Sequence, residues 1–394
     1  MSNSPTPLEQ AVKTKNGKHR ISIGLPKGSS PRERRFPLTP ECVSILTERG
    51  FDVFLEAGAA EVIHYSDEAY LHAGATIASR PNTLACDIVL HLPAVSAEDA
   101  RQLKKGAVLM SLLHVEQQSP EALKILLERR IISVALDLIC DENDKHPFAD
   151  ILSEIEGRAA MAIASSLLAD SVHGKGILLG GVAGIVPCEV TIIGSGITAR
   201  AAALSAIGLG TTVRMFDNDS YGLREALLRL GQGSVIGSAL HPRVFANALR
   251  SADIVIVTPT RHAIEIDVDV VAEMKRGVIA FDLTGNFSHS IFPTLNKVDL
   301  ATACPADCPT ATQVRTCYVN AGSAVPRTAA MALSTTLLTL FEDIIVCNGV
   351  TNALKLNHGL SRAVYTFLGK AVNDEIARVL GQRSVDISLF LQFS

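Results

Sequence analysis

Strand-like and helix-like stretches alternate along most of this chain, and that alternation leaves few folds open. RISIGLP reads as a strand. TPECVSILTERG follows as a helix, with Thr39 as N-cap, Pro40 in the first turn and Gly50 as the stop. FDVFLEAG, CDIVLHLP, AVLMSLLH and IISVALDLI read as further strands. Helical patterns separate them, among them SDEAYLHAG, opened by Ser66, and SPEALKILLERR. Strands spaced by helices make βαβ units, and these place parallel strands in a sheet with helices on its faces. A loop, CDENDKHPFAD, is followed by a long small-residue helix from Ser153 to Gly174. The alternation then restarts with a helix at 221–230, a strand at 253–257, a helix at 268–276 and a strand at 277–283. The tail, 327–394, reads as helical: RTAAMALSTTLLTLFEDIIV, then SRAVYTFLGKAVNDEIARVLG. The expectation is an α/β protein with two units, similar in class but not in sequence.

The second unit opens with EVTIIGSGITARAAALSAIGLGTTVRMFDND, from Glu189 to Asp219. Its turn has the pattern G-x-G-x-x-A. Gly194 permits the tight turn, Gly196 lets the backbone approach a pyrophosphate, and Ala199 lets the helix lie close on the strand. Phosphates would sit at the helix N-terminus, among Gly194, Ser195, Gly196, Ile197 and Thr198, where free N–H groups and the helix dipole favour anions. The next strand ends at Asp217, about 20 residues on, where an acid binds a ribose 2′-hydroxyl and repels a 2′-phosphate. The context therefore predicts NAD(H) rather than NADP(H). The alternative is a glycine turn in an α/β domain that binds something else.

Composition narrows the remaining classes. Of 394 residues, 47% are hydrophobic and 19% charged, with a formal net charge of −4. That balance supports sizeable cores and gives no basis for expecting a nucleic-acid partner. The polar N-terminus lacks the apolar core of a secretory signal, so a cytoplasmic protein is expected. No membrane span is expected, since ALSTTLLTLFEDIIV carries Thr, Glu and Asp and reads as buried helix. The eight cysteines are scattered, and the Cys304/Cys308 pair lacks the companions of a zinc site, so no metal is expected.

Several stretches together resemble one family. IGLPKGSSPRERRFPLTP, LTERGFDVFLEAGA, GGVAGIVPCEVTIIGSG and NAGSAVPRT, in that order, are similar to the alanine dehydrogenase/NAD(P) transhydrogenase α-subunit family. The resemblance implies two Rossmann-like, doubly wound domains with a cleft between them. Residues 1–150 and 327–394 would form the substrate domain, and 151–326 the NAD(H)-binding domain. It also implies hydride transfer with NAD, a small amino acid, oxo acid or imine as substrate, and a homo-oligomer. Arg35, just before the LTP helix start, fits the family's substrate arginine, and a guanidinium can clamp a carboxylate through two parallel bonds. His114, at the end of the strand VLMSLLH, fits the catalytic histidine that moves a proton. Thr258 and Thr260 follow the strand whose end lines the nicotinamide side, and Asn320 matches a position at the cleft mouth. Without that role, Asn320 is a turn residue. Ser153 is placed at the opening of the long helix, as a cap or an NAD contact.

Two positions depart from the family pattern. Alanine dehydrogenases carry a substrate lysine in a strand-end K-x-K-E-P run, and here Pro93 takes its place. Proline has no polar side chain and no N–H, so it cannot polarise a carbonyl. His91, two residues earlier on the same strand face, is the candidate substitute. Asn286 stands where the family has a cofactor-loop aspartate; it can hydrogen-bond but carries no charge. The expected activity is therefore NAD(H)-dependent oxidation or reduction at a C–N bond, with a substrate other than plain alanine. An opine-like condensation and reduction of a cyclic imine belong to that class. A transhydrogenase-like nucleotide-binding component and a non-catalytic NAD-binding scaffold are the alternatives.

Overall fold

A computed structural model of the chain describes residues 20–391 apart from 232, 263, 286–290, 304–313 and 348. Two sheets organise it. The first takes β1 (Ser22–Leu25), β2 (Asp52–Glu56), β3 (Thr76–Ala78), β4 (Ile88–Leu90), β5 (Val108–Ser111) and β6 (Ile132–Ala135) from the first part of the chain. The second holds β7 (Glu189–Ile193), β8 (Thr212–Phe216), β9 (Val235–Ser238), β10 (Ile254–Val257), β11 (Ile279–Asp282), β12 (Asn296–Asp299) and β13 (Thr316–Val319). The chain then returns to the first sheet with β14 (Val364–Phe367) and β15 (Lys370–Ala371).

The strand orders are β15-β14-β6-β5-β4-β1-β2-β3 and β12-β13-β11-β10-β7-β8-β9. In each sheet the winding reverses next to the first strand, between β1 and β4 and between β7 and β10. Ligands of open α/β sheets bind beyond the strand C-termini at such a reversal. The loops that follow β1, β4, β7 and β10 are thus the places to look for chemistry. Buried apolar clusters cover both faces of both sheets, as parallel strands such as the fully buried Ile254–Val257 require.

Two long helices join the units, and the first begins earlier than expected. It spans Pro147–Ala169, so Ser153 lies in its second turn and cannot be its N-cap. PF in the preceding loop looks like a breaker, but proline's fixed φ and missing N–H suit the first helical turn. The far end stops where the Asp170 carboxylate takes the N–H groups of Val172 and His173. The second long helix, Pro326–Val346, is long and apolar enough to cross a membrane by length and composition. Its Ala330, Leu333, Leu337, Phe341 and Ile344 are instead buried in the core beneath the first sheet.

The tail is not helical throughout. Val364–Phe367 and Lys370–Ala371 form an antiparallel pair, and β14 also runs antiparallel to β6. Leu368 and Gly369 between them have φ of 46° and 81°, the left-handed pair that a two-residue hairpin turn needs. VYTF is also β-branched and aromatic, and all four side chains are buried.

The first long helix packs on the helix Ile197–Gly208 through Gly157. A methyl there would lie 2.2 Å from the Thr198 carbonyl oxygen and 2.9 Å from the Ala202 nitrogen, both backbone atoms. Gly157→Ala is therefore expected to destabilise the fold by about 1–3 kcal/mol through overpacking. That exceeds the gain of about 1 kcal/mol in helix propensity. A urea midpoint equal to that of the parent protein would refute this close contact.

Candidate active site

The turn after β7 has the form a dinucleotide needs. Gly194 has φ +107°, and a methyl on it would meet Thr258 Oγ1 at 2.2 Å, so no other residue fits there. Gly196 takes the N-cap position of the helix Ile197–Gly208, and no side chain caps that end. Its first N–H groups are left for an anion. The neighbouring helix Ser220–Leu230, by contrast, is closed by the Asp219 carboxylate. Asp217 is buried at the end of β8. Its Oδ2 accepts from Ser195 Oγ at 2.6 Å and its Oδ1 from the Asp219 N–H at 2.9 Å. Each carboxylate oxygen keeps a lone pair that a ribose hydroxyl can use. Thr258 donates to the Ile193 carbonyl and so holds the glycine turn, whereas Thr260 donates to the His262 carbonyl within its own loop.

Opposite lies the C-terminal edge of the first sheet. The segment after β1 carries Glu33 and Arg35 on one side, with Arg32 and Arg34 exposed. Arg35 Nε donates to Glu33 Oε1 at 2.7 Å, and Nη2 donates to Oε2. Glu33 thus occupies the side edge of the guanidinium. The end edge, with both Nη1 hydrogens and one on Nη2, remains for a second carboxylate. Burial by itself would raise the Glu33 pKa, but the Arg35 guanidinium, helped by His114, overrides it and holds the group at about 2. Burial likewise disfavours charge on Arg35, and Glu33 more than restores it, with Glu156 and Asp137 adding to the effect.

His114 follows β5 in a left-handed conformation, φ 39°. The residue before it is held at both ends: the Leu113 N–H donates to Asp137, and the Leu113 carbonyl accepts from Gln118. His114 Nε2 is 3.4 Å from Glu33 Oε2, within reach of an ion pair when the ring is protonated, and has no hydrogen-bond partner among the described residues. Asn320, φ 60°, is also left-handed and donates to Asp299 at 2.9 Å. Most residues avoid this region, and the turn positions His64, Arg130, Asp144 and Leu368 share it. At His114 and Asn320 it aims side chains at one space.

That space is a cavity of about 300 Å³ between the two sheets. Arg35, His114, Thr198 and Asn320 all border it, together with Asp137, Glu156 and Asp282. Ser153 borders it too, from within the long helix. His91 does not. Its Nδ1 donates to the Pro93 carbonyl at 3.1 Å, and its Nε2 lies 3.3 Å from Ser29 Oγ. Burial lowers its pKa to about 4, so the ring is a neutral brace beneath the loop after β1. Asn286 lies outside the described residues, as do Cys304 and Cys308.

Glu33, Asp137 and Glu156 were not singled out from sequence. Glu33 had a readable signal: in an extended segment, alternate residues face the same way, so the acid two before Arg35 shares its side. Asp137 and Glu156 had none, because their roles come from packing between distant segments.

The chain matches known proteins over most of its length. Residues 24–156 match "Alanine dehydrogenase/PNT, N-terminal domain", and residues 160–374 match "Alanine dehydrogenase/PNT, C-terminal domain". The alanine dehydrogenase of Bacillus subtilis (strain 168) is 30% identical over 378 residues, covering 94% of this chain and 97% of that protein. The alanine dehydrogenase of Staphylococcus haemolyticus (strain JCSC1435) is 28% identical, over 92% and 96%. Among solved structures, an L-alanine dehydrogenase superposes with a TM-score of 0.79 at 25% identity, over 92% of this chain and 99% of that one. A transhydrogenase from Sinorhizobium meliloti shares the fold, with a TM-score of 0.70 at 19% identity, over 89% and 99%. With both domains matched in order along one chain, this protein belongs to the alanine dehydrogenase/PNT family.

Proposed function

We propose that this protein is an NAD(H)-dependent oxidoreductase that interconverts an amino acid with its oxo acid or imine partner. One observation carries the reading: an uncapped helix N-terminus with a ribose-competent acid beside it shares an interdomain space with Arg35 and His114. In this reading the unit around β7–β13 binds the dinucleotide, and the unit around β1–β6 and β14–β15 holds the substrate. NAD(H), when bound, supplies or takes the hydride. Arg35 holds the substrate carboxylate on its free edge, while Glu33 fixes the plane of the guanidinium. His114 Nε2 gives or takes the accompanying proton. Asp217 favours NADH over NADPH.

Glu33 makes this arrangement self-sufficient before substrate arrives. A buried guanidinium without a partner would bind the first anion it met. With Glu33 on one edge, it is oriented and still able to take a second carboxylate.

A non-catalytic NAD(H)-binding protein is the second reading. The observation in its favour is that neither His91 nor Pro93 borders the cavity, so no second cation stands beside Arg35 there among the described residues. One experiment separates the two. NADH and NADPH binding are titrated by fluorescence, and NADH consumption is then followed with oxo acids, with and without ammonium or amines. Turnover with NADH supports the enzyme. Tight NADH binding with no turnover on any acceptor supports the second reading, and a preference for NADPH contradicts the role given to Asp217.

A further inference from the structure

The charges around the cavity do not balance. Glu33 and Arg35 cancel each other, and of the remaining charged groups three are carboxylates: Asp137 after β6, Glu156 on the first long helix and Asp282 at the end of β11. Each is held by neutral groups. Asp137 accepts from the Leu113 N–H, and the Glu156 carboxylate lies close against Gly322, whose backbone, with that of Ala321, stabilises its charge. Asp282 Oδ1 accepts from the N–H and hydroxyl of Thr284. Burial raises the pKa of both Asp137 and Glu156 against the pull of Arg35, as expected of acids short of positive charge.

Asp282 adds an observation that points to a ligand. It borders the cavity at only 4% exposure, and its Oδ2 is buried without a hydrogen-bond partner among the described residues. An orphaned buried acceptor is costly, so among the described residues this wall lacks a donor. The nitrogen at the reacting carbon can satisfy one of the three acids. An amide N–H can satisfy an acceptor but cancels no charge. The proton that His114 carries in this reading offsets a second acid, and one carboxylate is still left over for something cationic.

We propose that the walls formed by Asp137, Glu156 and Asp282 are a subsite for a protonated amine carried on the side chain of the substrate. The substrate class is then a basic amino acid, whose α-carboxylate meets Arg35 while its distal ammonium meets these acids. This rests on the reading of the cavity as the reaction site and deepens it. A methyl-sized side chain would leave the acids uncompensated, whereas a flexible cationic chain completes two or three charge-assisted bonds.

Calorimetric titration with L-ornithine, L-norvaline and L-glutamate tests the subsite. Their chains are of similar length and end in an ammonium, a methyl and a carboxylate. The titrations are run on the protein with and without saturating NADH. Ornithine is expected to bind about tenfold or more tightly than norvaline, with glutamate weakest. Glu156→Gln and Asp137→Asn are expected to reduce that preference while leaving norvaline binding in place. Equal binding of ornithine and norvaline, or binding of none of the three by protein that binds NADH, overturns the subsite. A preference for ornithine without any NADH binding would uphold the subsite and overturn the dinucleotide reading. The comparison of the three ligands on the unaltered protein stands even if a variant does not fold.

Discussion

Arg35→Ala is expected to cost about 3–5 kcal/mol of stability at neutral pH, because it strands Glu33 as a buried charge without its partner. The pH dependence identifies the cause. In the parent protein the Glu33 carboxyl sits at about 2, below its ordinary value of 4.5. A depressed carboxylate adds stability above the unfolded pKa and loses it as pH falls through the folded one. The window is therefore about pH 4.5 down to 2, and a shift of this size corresponds to about 3 kcal/mol. Without Arg35, burial dominates and the Glu33 pKa rises. The sign then reverses: the variant gains from protonation as pH falls. Asp137 and Glu156, which Arg35 also pulls down, move in the same direction. Urea unfolding at pH 7 and pH 3 should therefore show the gap between the two proteins narrowing sharply at pH 3. A gap of the same size at both values would mean that the pair is not what holds this loop. Glu33→Gln combined with Arg35→Met should recover much of the loss, since replacing a whole buried pair costs far less than breaking it.

The same segment illustrates what a sequence does and does not disclose. RERR looks like a solvated charge run, and two of its four residues are solvated. Only alternation in an extended chain distinguishes Glu33 and Arg35 from Arg32 and Arg34. The turn around Gly194 was legible because its strand, glycines, helix and Asp217 are consecutive, so each tests the others. The fold class was legible for the same reason, since each βαβ unit is local. What was hidden depended on distant contacts. Glu156 looks like any acid on a small-residue helix until the turn at Ala321 and Gly322 brings its backbone against it. His91 lies just past the end of β4, and the Pro93 carbonyl and Ser29 on either side account for both its nitrogens. The tail hairpin was missed because its turn, Leu368-Gly369, lacks the usual Asn-Gly or Asp-Gly signature.

His114→Asn should lower kcat by about 10²- to 10⁴-fold, the usual contribution of a positioned acid or base. Asparagine is the informative replacement because His114 sits at φ 39°, where asparagine is tolerated and alanine would add strain. Stability should then change little, since the preceding residue, Leu113, remains fixed by Asp137 and Gln118. NADH affinity should stay within about twofold, because the phosphate and ribose contacts proposed for Gly194 and Asp217 are on the other unit, across the cleft from His114. A fall in kcat and kcat/KM together, with binding preserved, places the loss in the transition state rather than in substrate capture. If activity persists in the variant, the proton reaches the substrate by another route. The three carboxylates of the cavity wall are then the groups to examine, since burial already holds Asp137 and Glu156 nearer to their protonated forms. If NADH affinity falls as steeply as kcat, His114 is acting on cofactor binding rather than on proton transfer, and its conformation serves to shape the cleft.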